Sequence, residues 1–158
     1  MVSAAVSSLG KTSLYLVEAG AKINSSYYCE SLLSQMIPEM NALSGGDFIF
    51  QQDGARSHTS KFTLRYLSDN LPAAARLLTP DYWPPNSPDL NPMDYGVWGW
   101  LENEVFKVKI KDIEHLIERL ATAWDRLEQD QIEKIIDSFR KRLSACINAN
   151  GGHFEYLL

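Results

Sequence analysis

The chain has 158 residues, 45% of them hydrophobic and 22% charged, which is the size and composition of one soluble globular domain with a real core. Its formal charge of −5 excludes a general electrostatic attraction to nucleic acid, so any DNA contact must come from local basic patches or a bound metal. No apolar run approaches the roughly 20 residues of a membrane-spanning helix, and the chain start lacks the basic residues of a secretion signal. Cys29 and Cys146 lie far apart and fit reduced thiols better than a disulfide scaffold.

The first half of the chain alternates between strands and helices. Two short β-prone runs joined by Leu9-Gly10-Lys11 predict an antiparallel hairpin. Apolar side chains at three- to four-residue spacing then predict two amphipathic helices separated by a short strand. The predicted elements are strands over residues 2–8 and 12–17, a helix over Asn24–Met40, a strand over Phe48–Gln52, a helix over Ser57–Leu71, a strand over Arg76–Leu78 and a proline-rich loop over Pro80–Pro92.

The second half is predicted to be helical. A third helix starts with Asn91 as its cap and Pro92 at its first position. A fourth and a fifth follow, the last ending at Gly151-Gly152. The apolar lines of the three helices are Met93, Val97, Trp100, Leu101 and Val105; Ile113, Leu116, Ile117, Leu120, Trp124 and Leu127; and Ile132, Ile135, Ile136, Phe139, Leu143 and Ile147. This order of elements predicts an α/β layer with a helical cover.

Two acids are placed where a metal site is often built, one at the exit of a strand and one at the start of a helix. Asp53 follows the strand Phe48–Gln52, although Asp-Gly is also an ordinary turn pair. Asp94 lies in the first turn of the third helix, where an acid also serves as a capping residue. His58 is compatible with a helix start or a core position, and Asp89 with a loop acid. Each residue alone therefore has an ordinary structural explanation.

Together, the segments QQDGARSHTS and WPPNSPDLNPMDYGVW resemble the catalytic core of the mariner group of cut-and-paste DNA transposases, in the Tc/mariner superfamily. The opening VSSLGKTSLYLVEAG and the closing GGHFEYLL are similar to the same domain, so the resemblance covers essentially the whole chain. It implies a ribonuclease-H-like mixed sheet with flanking helices and a helical carboxy-terminal part, in the DDE/DDD superfamily. It also implies that Asp53 and Asp94 are the second and third catalytic acids, and it leaves His58 and Asp89 as candidate supporting residues.

The chemistry of that family explains its need for acids. Phosphodiester hydrolysis and strand transfer place charge on the attacking and leaving oxygens, which two metal ions about 3.5–4 Å apart stabilise. Mg²⁺ prefers hard oxygen ligands, so carboxylates hold it, and Mn²⁺ is the alternative ion. The resemblance thus implies metal binding by Asp53 and Asp94, DNA as the partner and a nuclear location.

The resemblance places the first acid, which bridges both metals, on a strand preceding the one that Val2–Ser8 resembles. Residues 1–17 contain no Asp or Glu, so we expect this chain to be inactive by itself. We also expect a single domain over residues 1–158 without the family's helix-turn-helix modules. Since the absent strand is central, the fragment is expected to be marginally stable, to form homo-oligomers through unpaired sheet edges, or to pair Val2–Ser8 directly with Phe48–Gln52.

A second hypothesis is a non-catalytic nucleic-acid-binding or protein-interaction module derived from a transposase. Its DNA-contact residues would be Lys107, Lys109, Lys111, Arg140, Lys141 and Arg142. Such charges are also typical of a solvated helix face, and Trp98, Trp100, Tyr27 and Tyr28 fit a core better than a base-stacking surface. An unrelated α/β domain is the third alternative.

Overall fold

The structure is a computed structural model that describes the backbone of residues 1–158 and every side chain except those of Pro80 and Leu157. The chain divides into two compact units. Unit 1 comprises Met1–Ala5 and Leu9–Asn86, and unit 2 comprises Val6–Ser8 and Ser87–Leu158. None of the described helices has both the length and the apolar character needed to cross a membrane.

The strands are short, and most of the ordered chain is helical. The strands are β1 (Val2–Ser3), β2 (Val6–Ser7), β3 (Gly10–Lys11), β4 (Tyr15–Leu16), β5 (Ile49–Phe50) and β6 (Arg76–Leu77). The α-helices are α1 (Ser25–Tyr27), α2 (Ser34–Ser44), α3 (Arg56–Thr59), α4 (Lys61–Asn70), α5 (Trp98–Val105), α6 (Ile113–Arg126) and α7 (Gln129–Asn148). Tyr28–Leu33 and Met93–Val97 are π-helical, and Pro80–Tyr82, Pro88–Leu90 and Glu155–Leu157 are 3₁₀ turns.

The strand pairs of unit 1 follow the predicted order. β1 and β4 pair antiparallel, with Val2 opposite Leu16, so the predicted hairpin is confirmed. β5 and β6 pair parallel, with Phe50 opposite Leu77, and the helices α3 and α4 form the crossover between them. Among the described strands, neither β1 nor β2 pairs with β5. The direct pairing of Val2–Ser8 with Phe48–Gln52, one of the predicted alternatives, is therefore not formed.

The first long helix is built from α1, the π-helical turn and α2 in succession. Asn24 caps it by accepting the Tyr27 N–H at 2.9 Å, and Gly45 ends it in the left-handed conformation, with φ at 65°. The helix therefore extends four residues beyond the predicted end at Met40. Its buried side chains pack with Phe50 and Leu67 and form the core of unit 1; they are Tyr28, Cys29, Leu32, Leu33, Met36, Ile37 and Met40.

The predicted single helix over Ser57–Leu71 is wrong in one respect, because Ser60 divides it. Ser60 adopts an extended conformation, with φ at −64° and ψ at 149°, between α3 and α4. Its Oγ accepts the Thr63 N–H at 3.1 Å and so caps α4. The short turn α3, which carries His58, is thereby detached from α4.

Unit 2 contains the three helices predicted for the second half of the chain. Its buried side chains include Val97, Leu101, Val105, Trp124, Leu127 and Ile132, all from the predicted apolar lines. Ile113 and Ile147 belong to the same lines but are 62% and 65% exposed, in the first turn of α6 and the last turn of α7. The amino-terminal strand β2 adds to this unit, where Ser7 O accepts the Gln129 side-chain amide at 3.3 Å.

Candidate active site

Asp53 lies between β5 and α3 and is fixed through one oxygen. Its Oδ1 accepts the Ala55 N–H at 2.9 Å, as in an Asx turn, and meets His58 Nδ1 at 2.5 Å. The hydrogen bond from His58, followed by that from Ala55, holds the pKa of the carboxyl below its usual range, although partial burial opposes this. The side chain is 51% exposed. Asp53 is therefore an ionised and accessible carboxylate, and both of these contacts leave Oδ2 for a ligand.

His58 is held in turn by two residues that sequence reasoning missed as site residues. The ring of Tyr28 lies against the imidazole, with 4.1 Å between the centroids. The Tyr28 hydroxyl donates to Gln52 Oε1 at 3.0 Å, and Gln52 Nε2 donates to the His58 carbonyl at 2.9 Å. Burial first, and then the negative charge of Asp53, raise the pKa of the Tyr28 hydroxyl, which keeps it a donor.

The turn that carries His58 is anchored to the core by Thr63. This side chain is fully buried, and its hydroxyl donates to the Ser57 carbonyl at 2.5 Å. The Cys29 thiol, 3.6 Å away, and the Ser60 hydroxyl, 3.0 Å away, both contact the same oxygen. The sequence shows only a threonine four residues before Leu67, and the apolar pattern gives no sign that its side chain is buried.

Asp94 lies at the start of the helical segment of unit 2, which begins at Pro92 as predicted. Its Oδ2 accepts the side-chain amide of Asn91 at 2.8 Å, and its backbone N–H donates to the Asn91 carbonyl at 2.9 Å. The Asn91 side chain also accepts the Met93 N–H at 3.2 Å. The carboxylate is exposed and is oriented by Asn91, in the first turn of the helix, where the dipole favours a negative charge.

Asp89 belongs to a cluster in unit 2 with Arg142, Glu155 and Tyr95. Arg142 donates to the Asp89 carbonyl at 3.2 Å, and its guanidinium lies 3.9 Å from the centroid of the Tyr95 ring. Burial first, and then the Glu155 carboxyl, raise the pKa of Asp89, while Arg142 lowers it. The structure thus joins Asp89 to a packing cluster of this unit.

The sequence profile of the DDE superfamily endonucleases matches residues 24–117, a range that includes Asp53, His58, Asp89 and Asp94. The chain belongs to this family. It is 33% identical to the Tc1 transposase of Caenorhabditis elegans over 112 residues, which is 71% of this chain and 38% of that protein. The chain spans less than half the length of the curated relatives that it matches.

Solved structures of a mariner transposase have the same fold as this DDE endonuclease chain. The catalytic domain of the Mos1 mariner transposase matches 98% of this chain and 75% of its own length, with a TM-score of 0.80 and 20% identity. The Mos1 paired-end complex with Mn matches 94% of this chain and 43% of its own, with a TM-score of 0.78 and 20% identity. The predicted mariner-group resemblance and ribonuclease-H-like fold are therefore confirmed.

The acids of this DDE chain offer the donor chemistry that a divalent ion requires. Among the side chains that the structure describes, no three His, Cys, Asp or Glu form a group that could hold a metal ion. Mg²⁺, however, is commonly held by one or two carboxylates while water and substrate phosphate complete its shell. The ionised Asp53 and the helix-start acid Asp94 fit that requirement in ligand type.

The six basic residues predicted to contact DNA have different surroundings. Lys107 contacts Glu104, and Arg142 lies against Tyr95. Lys109 and Lys111 are exposed between α5 and α6, and Arg140 and Lys141 are exposed on α7. DNA contact by these residues stays a prediction, and for Arg142 the guanidinium already has a packing role within the unit.

We expect Asp89→Asn to raise the melting temperature at pH 7 by about 1–2 °C and to change it less at pH 4. A carboxyl whose pKa is raised on folding stabilises the fold below its unfolded pKa and loses that contribution as the pH rises through its folded pKa. At pH 7 the ionised Asp89 therefore opposes Glu155, whereas an amide still donates to it. Melting curves at the two pH values measure the effect.

Asp137→Asn, at an exposed position of the same unit, is the matched control for Asp89→Asn. If Asp89→Asn changes the melting temperature equally at both pH values, or raises it more at pH 4, the raised pKa of Asp89 in the folded state is contradicted.

Proposed function

We propose that Asp53 and Asp94 are two of the carboxylates with which a nuclear DDE endonuclease holds Mg²⁺ or Mn²⁺ to cleave and join DNA strands. The observation that carries this proposal is the state of Asp53. Its carboxyl is ionised, exposed and fixed through Oδ1 by Ala55 and His58. An aspartate that served only as a turn residue would need the Ala55 contact alone.

When bound, such ions stabilise the charge on the attacking and leaving oxygens of the phosphodiester. Other residues of the chain orient the carboxylates that would bind these ions. His58 holds Asp53 in one orientation, and Asn91 does the same for Asp94 through its side-chain amide. The family match over residues 24–117 and the Mn-containing Mos1 complex support the assignment.

The experiment is a Mn²⁺ titration of the ¹⁵N-labelled chain, with paramagnetic broadening as the signal. We expect amide signals next to Asp53 and Asp94 to broaden first, and Asp53→Asn to weaken binding about tenfold, because the neutral amide lacks the negative charge that attracts the ion. Asp69→Asn removes an exposed acid paired with Arg65 on α4 and is the matched control. Equal Mn²⁺ affinities for the wild type, Asp53→Asn and Asp94→Asn contradict the proposal.

We also propose that these 158 residues, taken alone, bind the ion but leave DNA uncleaved, since residues 1–17 hold no carboxylate for the first position. Cleavage of a DNA duplex by the purified chain with Mn²⁺, lost in Asp53→Ala, would contradict that inactivity while supporting the metal site. The alternative of a purely DNA-binding module has less support, because the net charge is −5 and two of the six basic residues contact protein groups.

A further inference from the structure

Tyr28 touches the surroundings of Asp53 in two separate ways. Its ring faces the His58 imidazole at 4.1 Å, with 34° between the planes. Its hydroxyl donates to Gln52, whose amide donates to the His58 carbonyl. The ring and the backbone of His58 are thus restrained by the same buried residue, which is only 5% exposed.

These contacts form a series of interactions that leads from Tyr28 to the Asp53 carboxylate. Gln52 accepts the hydroxyl of Tyr28 and donates to the His58 carbonyl, so the hydroxyl of Tyr28 acts on the turn that carries the imidazole. His58 restrains the carboxylate itself through Nδ1. A nitrogen that faces a carboxylate at 2.5 Å carries the proton, which leaves Nε2 unprotonated in the neutral ring. The tautomer of His58 therefore reports whether the contacts that link Tyr28 to Asp53 are formed.

We propose that Tyr28 is a positioning residue for the carboxylate of Asp53. By holding Gln52 and His58 it keeps Oδ1 engaged, so that Oδ2 is offered to a divalent cation in one orientation. This inference rests on the proposed function. Residues that orient a metal ligand without touching the metal typically change affinity by about 10- to 100-fold when removed, and Tyr28 acts one contact further away.

The test compares Tyr28→Phe with Tyr66→Phe. The first removes only the hydroxyl that reaches Gln52 and keeps the ring against His58. The second removes the hydroxyl of another tyrosine packed on the same core cluster. We expect Tyr28→Phe to bind Mn²⁺ about three- to tenfold more weakly than the wild type, and Tyr66→Phe to bind it equally well.

Two further measurements separate positioning from a structural effect. Long-range ¹H–¹⁵N spectra at pH 8, without metal, are expected to show the Nδ1–H tautomer of His58 in the wild type and a mixture of tautomers in Tyr28→Phe. In a His58→Ala background, Tyr28→Phe is expected to change Mn²⁺ affinity no further, because its route to Asp53 is already removed. Melting curves establish that each variant is folded.

An unchanged His58 tautomer in folded Tyr28→Phe overturns the inference. So does a loss of Mn²⁺ affinity of the same size with and without His58. If the wild-type chain binds no Mn²⁺ near Asp53, the proposed function fails, and the metal-free tautomer still decides whether Tyr28 positions His58.

Discussion

Leu67→Ala is expected to lower the free energy of unfolding by about 3 kcal/mol, a cost typical of truncating a fully buried leucine. Leu67 is 0% exposed and belongs to the cluster that joins α4 to the long first helix and to Phe50 of β5. Removal of its side chain leaves a cavity that a rigid helical environment fills only in part. Since small domains are stable by about 5–15 kcal/mol, the loss is a large share of the total. Urea unfolding of unit 1, followed by its amide signals, measures it.

Phe62→Ala on the same helix is the matched control. Phe62 is 49% exposed, so its truncation is expected to cost less than about 1 kcal/mol although more atoms are removed. A Phe62→Ala variant as destabilised as Leu67→Ala would show that the two residues share one buried face, contrary to the structure.

Phe62 is exposed and Leu67 is buried, and this difference shows how much of the structure of α4 its hydrophobic pattern can predict. The apolar spacing over Ser57–Leu71 predicts a helix, and Leu67 on that helix is buried. Residues five positions apart on a helix, however, lie about 140° apart around its axis, so Phe62 and Leu67 cannot both point into the same core. The position that shares a face with Leu67 is Thr63, whose hydroxyl is satisfied by three partners. A polar residue at an inward position can be recognised only when its partners are known.

The same limit applies to the candidate site. Asp53, His58 and Asp94 stand in segments that resemble a known family, so the sequence points to them directly. Tyr28 is 24 residues before Gln52 in the chain, and no local pattern indicates that the two side chains meet. The break at Ser60 was also missed, because a serine that caps a new helix looks the same in sequence as one inside a continuous helix. Contacts between distant segments and caps within a helical run depend on the folded structure.

Gly96→Ala is expected to destabilise unit 2 by about 1–3 kcal/mol, the usual cost of overpacking. Gly96 lies in the π-helical segment two residues after Asp94, where α7 approaches closely. A Cβ at this position would lie 2.5 Å from Ile135 Cγ2. The Tyr95 hydroxyl donates to the Ile135 carbonyl at 2.7 Å, so α7 cannot move away without losing that hydrogen bond. Denaturant unfolding followed by the signals of unit 2 gives the change in stability.

Gly99→Ala is the control that separates this clash from the effect of alanine itself. A Cβ at Gly99 meets nothing within 4 Å, and alanine stabilises a helix relative to glycine by about 1 kcal/mol, so this variant is expected to gain stability. Gly96→Ala in an Ile135→Ala background should likewise become neutral or stabilising, because the atom that it meets is gone. If Gly96→Ala remains destabilising in that background, the close approach of Ile135 is not the reason for glycine at this position.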